Sequence, residues 1–239
     1  MATLLMKFIG PMQSWGSRSR FDYRDTEREP TKSGVLGLCS AALGRKRHES
    51  IEDLATLRLG VRVDREGMVR RDFQTAQNVI RASTPREKWL KARTKGRTVG
   101  TQDTVVSHRY YLADAAFLVG LEGERDLLEE IEAALQCPAF TLYLGRKGYV
   151  PSEPVFFPEG GLVDESLEEA LALREPLVED RADTPRYALE VSPEFDPGAL
   201  GLTREVWDQP LGSFAERRFG PRLVWIANFP WGEVPRVPQ

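Results

Sequence analysis

Histidine and cysteine are nearly absent: His48, His108, Cys39 and Cys137 are the full supply in 239 residues. Structural zinc needs four ligands at short paired spacings, and these four positions offer none. Two lone cysteines in apolar surroundings read as buried thiols of a reducing cytoplasm, not as a disulfide. No apolar run approaches the roughly 20 residues of a spanning helix, so no membrane contact is expected. The opening Met1-Ala2-Thr3-Leu4-Leu5-Met6-Lys7 lacks a basic lead and a cleavage site, and reads as a first strand. There is no Gly-x-Ser-x-Gly elbow and no dinucleotide fingerprint. A Walker phosphate loop ending on Lys32 needs glycine at positions 26 and 31, and both are threonine. Acidic residues are plentiful, but no pair stands out as metal-binding. Neither metal nor cofactor is expected.

What is present is a lopsided charge. The net charge is −3, yet residues 1–111 hold 22 Lys+Arg against 12 Asp+Glu, a net of +10, and the remainder has a net of −13. A basic half suits a polyanion and an acidic half suits something else; two ordinary solvated faces are the plain alternative. Hydrophobic residues make up 41%, enough for a real core and against wholesale disorder.

The pattern along the chain predicts strands at Thr3–Ile9 and Leu59–Asp64, and over 69–80, Val105–Leu121 and Phe140–Leu144. Helices are predicted at Thr31–Leu43, where Pro30 precedes and Gly44 stops the run, at Ser50–Leu57, and at Glu124–Gln136, whose Leu127, Leu128, Ile131, Ala134 and Leu135 share one face. Gly34 and Gly37 inside the first helix point to a close backbone contact. Without residues 69–104 the order is β-α-β-β-α-β, the ferredoxin-like pattern used by RNA-recognition modules. The predicted fold is therefore α+β: a ferredoxin-like domain over 1–150 with a long basic β-hairpin, about 78–107, inserted in it, and a small β-rich acidic domain over 151–239. The latter has a short helix at Asp164–Leu173 and strands at Tyr187–Val191, Thr203–Trp207, Phe214–Arg218 and Leu223–Ala227.

Four segments carry candidate chemistry. Residues 81–97 hold seven basic residues and one acidic one, and in this run Arg86, Lys88, Lys91 and Arg93 would attract phosphates while Trp89 stacks on a base. A loop this long in a compact domain is more often functional or disordered, and a flexible solvated loop is the alternative. Trp15, Ser17, Arg18, Arg20, Tyr23 and Arg24 interleave arginine with aromatics. They lead to Lys32 and Ser33 at a helix N-terminus, where free N–H groups can hold a phosphate or where the helix is simply capped. Gly145, Arg146 and Lys147 form either an anion nest or an ordinary turn. His108, beside Arg109 and Tyr110, can be read as the general base of a metal-independent ribonuclease. The plainer reading is a strand histidine bonded to neighbours or to RNA.

Four ordered blocks resemble one family. Gly10-Pro11-Met12-Gln13-Ser14-Trp15-Gly16 with Ser19-Arg20-Phe21 is similar to its N-terminal signature. Pro30-Thr31-Lys32-Ser33-Gly34-Val35-Leu36-Gly37-Leu38 with Ala41-Ala42-Leu43-Gly44-Arg45 resembles its first-helix motif. Ser107-His108-Arg109-Tyr110-Tyr111-Leu112-Ala113-Asp114-Ala115 and Leu142-Tyr143-Leu144-Gly145-Arg146-Lys147 resemble later blocks. The family is the CasD, or Cas-five, group of the RAMP superfamily in type I-E CRISPR Cascade, and the likeness runs to about residue 155. Gly145-Arg146-Lys147-Gly148 departs from it as a sparse version of the superfamily's glycine-rich loop. The resemblance implies a ferredoxin-like domain with a thumb hairpin and a smaller C-terminal domain. It implies binding of the 5′ handle of CRISPR RNA, contacts with a backbone subunit and a large subunit, and access to target DNA only through the complex. It also implies no catalysis, since the motifs resemble the branch that leaves precursor cutting to a separate ribonuclease; the alternative is a subunit that processes the precursor itself.

Overall fold

The computed structural model describes residues 2–17, 23–77, 104–196, 198 and 201–235. In chain order the elements are β1 (Ala2–Gln13), β2 (Tyr23–Arg24), α1 (Lys32–Ala42), α2 (Glu52–Ala55), β3 (Arg58–Arg65), β4 (Met68–Ala76), β5 (Val105–Gly123), α3 (Arg125–Gln136), β6 (Leu162–Val163), α4 (Leu167–Leu173), β7 (Arg186–Val191), β8 (Leu202–Pro210) and β9 (Phe219–Asn228). One large sheet runs β6-β1-β5-β3-β7-β9-β8, with β2 and β4 flanking the first half of β5. Its pairings are antiparallel except that of β2 with β5.

Side chains of successive strand residues point to opposite faces, and here both faces are covered. Leu4, Met6 and Phe8 of β1, with Phe117, Val119 and Leu121 of β5, pack with Val35, Leu36 and Cys39 of α1 and with Leu128, Ile131 and Leu135 of α3. Leu5 and Leu118 point the other way, toward Leu167 and Leu171 of α4 and to Tyr187, Leu189 and Trp225. Two-sided burial explains why β1 and β5 read as nearly continuous apolar runs. Each Leu-sized side chain buried here contributes about 1.5–3 kcal/mol. The α3 residues recur at spacings of three and four, which makes a single apolar stripe. A capping box of Ser166 and Glu169 starts α4.

Two predicted strands are something else. Residues 140–144 are irregular, because Ala139 N–H and Phe140 N–H donate to the Ala42 and Ala41 carbonyls and so finish the C-terminal end of α1. The strand beside β1 on that edge is instead β6, two residues long. Residues 214–217 form a turn that leads into β9. The close contact anticipated in α1 occurs at Gly34, where an added Cβ would lie 2.8 Å from the Trp15 ring, and not at Gly37, whose nearest neighbour would be 3.8 Å away.

After residue 150 the chain re-enters the same sheet: β7 pairs with β3, and β9 and β8 extend it outward. Toward the other end, β4 and β5 run antiparallel until Ala76 faces Val105. The body of the hairpin expected at about 78–107 falls in residues 78–103, outside the described residues. Among the described residues no helix is long and apolar enough to cross a membrane.

Candidate nucleic-acid interface

The first half of β5 extends beyond β1 and β3 and is flanked by β2 and β4. Register assigns its two faces. Tyr23 and Phe73 both sit opposite His108, and Arg71 sits opposite Tyr110. Directly opposed residues share a face. That face carries Tyr23 and Tyr110 with ring centres 5.1 Å apart, and Phe73 and His108 with centres 5.6 Å apart. Tyr23 and Phe73 are more than half exposed, at 56% and 60%, so their rings are available to an incoming base. The hydrogen bond between the two tyrosine hydroxyls raises the pKa of Tyr23. His108 Nδ1 is buried without a hydrogen-bond partner among the described residues.

The opposite face gathers arginines, with one carboxylate among them: Asp72 sits opposite Arg109 and accepts from the Gln74 amide. Arg24 pairs in register with Arg109, and Tyr111 lies 6.0 Å from the Tyr149 ring. Arg146 joins them from the loop after α3. Its guanidinium donates to the Asp25 carbonyl at 2.9 Å, and its second terminal nitrogen is buried without a partner among the described residues. Burial lowers the pKa of Arg146; the adjacent Tyr149 hydroxyl opposes this, and the like charges of Arg109 and Arg24 add to it. Among the described residues the Arg109 side chain donates to the Ser107 hydroxyl, at 3.2 Å. Among the described residues no carboxylate forms an ion pair with Arg24, Arg109 or Arg146. Guanidinium stays ionised under such pressure, so the cluster favours an external anion such as phosphate.

The loop that carries Arg146 is anchored to the end of β1. Ser14 N–H donates to the Leu144 carbonyl at 3.1 Å. Gly145 has φ +89°, and a Cβ there would collide with the Ser14 carbonyl, so only glycine fits. Its N–H is taken by the Tyr143 carbonyl. The loop therefore offers the side chains of Arg146 and exposed Lys147, not an anion nest headed by Gly145.

Three of the sequence-derived candidates have other roles in the structure. Trp15 is buried and stacks on Phe8, with ring centres 5.4 Å apart and planes 14° apart, so its ring belongs to the core and is closed to a base. The Ser17 hydroxyl is bonded to the Glu27 carboxylate. Lys32 is 1% exposed, and its ammonium lies 2.8 Å from Glu190. The backbone N–H of Lys32 donates to Asp208 at 2.7 Å, and Asp208 also takes Arg222 at 2.5 Å. The anion at the start of α1 is thus supplied from within the chain. Thr31 makes no side-chain cap, and half-buried Ser33 lies on the same turn. Arg18, Arg20, Arg86, Lys88, Trp89, Lys91 and Arg93 lie outside the described residues. Among the described residues no group of three His, Cys, Asp or Glu is placed to hold a metal.

Phe73, Arg71 and Tyr149 were not singled out from sequence. Alternation in Arg70-Arg71-Asp72-Phe73 could have indicated that Arg71 and Phe73 share a face. Tyr149 becomes visible only when the loop folds back onto β5.

Comparison with known proteins supplies the family. Residues 3–225 match the family described as CRISPR-associated protein (Cas_Cas5). The chain is 33% identical over 159 residues to the CRISPR system Cascade subunit CasD of Escherichia coli (strain K12), which covers 64% of this chain and 69% of that protein. Among solved structures, one described as a Cas protein is 44% identical, with TM-score 0.69, covering 99% of this chain and 100% of the other. Another, from a CRISPR RNA-guided surveillance complex, is 29% identical, with TM-score 0.71, covering 98% and 95%. A match that spans β1 to β9, together with structural agreement over nearly the whole chain, shows that this protein belongs to the CRISPR-associated Cas5 family.

Proposed function

We propose that this chain is a non-catalytic subunit of a type I-E CRISPR RNA-guided surveillance complex, in the cytoplasm, and that it holds the 5′ handle of CRISPR RNA. The observation that carries the reading is the β2–β4–β5 ribbon. One of its faces groups Arg24, Arg109 and Arg146, none of which forms an ion pair with a carboxylate among the described residues, and the other exposes Tyr23 and Phe73 beside Tyr110 and His108. Single-stranded RNA is recognised by splaying bases onto aromatic rings while cations track the backbone. The guanidiniums would take handle phosphates and the rings would take unstacked bases. Lys147 and the basic run containing Arg86, Lys88, Trp89, Lys91 and Arg93 would extend the path along the guide, as a thumb hairpin rooted on β4 and β5.

The order β6-β1-β5-β3, with α1 and α3 joining alternate strands, supports a ferredoxin-like first unit. Its acidic continuation after residue 150 would face protein, namely the backbone and large subunits, so that target DNA is reached only through the assembly. The names of the related Cascade subunit and surveillance complex support that placement. The non-catalytic reading rests on chemistry. A ribonuclease built on His108 needs a second acid–base group, and on its face of the ribbon the hydroxyls of Tyr23 and Tyr110 are bonded to each other.

The test is affinity for a repeat-derived 5′ handle RNA against a scrambled RNA of equal length, measured with parent chain and with Arg24→Ala, Arg109→Ala, Arg146→Ala combined. Preferential binding lost in the variant supports the proposal. Equal affinity of parent and variant for the handle removes the ribbon from the interface.

A further inference from the structure

The ribbon meets the sheet at a break. β5 runs unbroken from one to the other, but its partners do not: β3 and β4 pair with it in the same direction, and the ladder lapses between Arg65 and Met68. Both sides of the gap take left-handed backbone, Gly67 with φ +69° and Asp114 with φ +59°. A disrupted ladder lets paired strands bend, so the pairing alone does not fix where β4 points. β2 has still less support of its own. It is two residues paired with β5, below the usual length of a strand.

One side chain outside the ribbon holds both flanking strands. Arg186 opens β7, where its backbone lies between Val63 of β3 and Asn228 of β9. The sheet therefore fixes it on both sides. Its guanidinium reaches two carboxylates at once. Nε donates to Glu66, just before β4, at 2.7 Å, and one terminal nitrogen donates to the same carboxylate at 3.2 Å. The other terminal nitrogen donates at 2.9 Å to Glu29, on the segment between β2 and α1. Glu29 is buried and is also bridged to Arg204 of β8. Closer to β2 on that segment, the Asp25 carbonyl accepts from Arg146 of the cationic cluster. A planar guanidinium can hold two carboxylates in a fixed geometry, whereas an ammonium lacks the fork.

We propose that Arg186 is a positioning residue for the RNA site: by holding Glu29 and Glu66 together it sets β2 and β4 against β5, and so presents Tyr23, Arg24 and Phe73 ready for RNA. The inference rests on the proposed function above. It gives the half of the chain after residue 150 a share in RNA binding without a contact to RNA. A site ordered before its ligand arrives avoids the cost of ordering on binding. Loss of the tie therefore lowers affinity and leaves the bound contacts as they were.

The experiment uses the full chain and the repeat-derived 5′ handle RNA. Affinity, its salt dependence, melting temperature and amide exchange are read on each variant. Arg186→Met should bind the handle about tenfold more weakly than the parent, the cost of ordering the loosened strands. Its salt slope should be that of the parent. Its β2 and β4 amides should exchange faster in the free chain but not in the RNA complex. Glu66→Ala cuts only the tie to β4, at a half-exposed carboxylate, and carries the test where Arg186→Met is too unstable to study. It should melt close to the parent, bind RNA several-fold more weakly and loosen β4 alone. Arg186→Lys keeps a charge near buried Glu29 but loses the fork on Glu66, so it should match Glu66→Ala. Arg186→Met with Glu66→Ala should bind no more weakly than Arg186→Met alone, because both act through one tie. RNA affinity equal to the parent in Arg186→Met and Glu66→Ala would make the cluster a stabiliser of the fold only. A slope shallower by about 0.7 in Arg186→Met would make Arg186 a phosphate contact. Either result overturns the inference and leaves the subunit reading standing. A parent chain that binds handle and scrambled RNA equally overturns both.

Discussion

Two groups of cations in this molecule look alike in sequence and end in opposite states. Lys32, at the start of α1, is enclosed by Glu190 and Asp208, which lie more than 150 residues away in the chain. Arg24, Arg109 and Arg146 gather on the β2–β5 ribbon and form no ion pair among the described residues, although Asp72 faces Arg109 in register. The acidic half of the sequence thus neutralises part of the basic half inside the fold and leaves the ribbon cationic. A basic residue indicates a polyanion site only where the fold has not already answered its charge.

Breaking the internal cluster should give the largest effect. Lys32→Ala removes the buried ammonium from this cluster but leaves Glu190 with the Leu59 N–H and Arg222, so it should cost about 3 kcal/mol of stability, the low end for a broken buried pair, read from denaturant unfolding. RNA affinity of the folded fraction should be unchanged. Lys32→Met combined with Glu190→Gln removes both charges and should recover most of that loss; a pair mutant as unstable as Lys32→Ala would show that the cost is packing and not electrostatics. On the ribbon the expected pattern is reversed. The combined Arg24→Ala, Arg109→Ala, Arg146→Ala variant should lose only about 1 kcal/mol of stability, from the Arg146 bond to the Asp25 carbonyl, but bind handle RNA about a hundredfold more weakly, at about 1 kcal/mol per lost hydrogen bond.

These contrasts also explain what could be read from sequence. The strong two-faced apolar runs made β1 and β5 legible, and spacings of three and four did the same for α3. Arg109, Arg146, Tyr23 and Arg24 were legible as cations and aromatics set among turn and strand signals. Trp15 was misread because its arginine-rich neighbourhood resembles a stacking site, whereas its ring is enclosed by Phe8 and Gly34. Lys32 was misread because its counter-ions come from β7 and β8, which no local pattern reveals. Residues 140–144 have strand-like composition, yet their approach is set by the open carbonyls of α1. A two-residue β6 carries no periodicity to find.

A smaller effect is expected on the aromatic face. Tyr23→Ala should weaken RNA binding by about 1 kcal/mol, the low end for base stacking, because Phe73, Tyr110 and His108 remain beside it. Tyr23→Phe should bind nearly as well as the parent; an equal loss in both would assign the role to the hydroxyl instead of the ring. The smallest effect should come from His108→Ala: repeat RNA incubated with either chain without metal should stay intact. Cleavage at one site by the parent, lost in the variant, would make the chain a ribonuclease.

The account turns on where free positive charge lies, and salt dependence reads that directly. The logarithm of handle RNA affinity should be measured against the logarithm of salt concentration for three chains. These are the parent, the three-arginine variant, and Lys32→Met with Glu190→Gln. Each phosphate contact on a single strand contributes a slope of about 0.7, so the three-arginine variant should be shallower than the parent by about 2. The Lys32 and Glu190 variant should keep the parent slope. A parent slope in the three-arginine variant, or a reduced slope on removing Lys32, would contradict the assignment of the ribbon as the RNA surface.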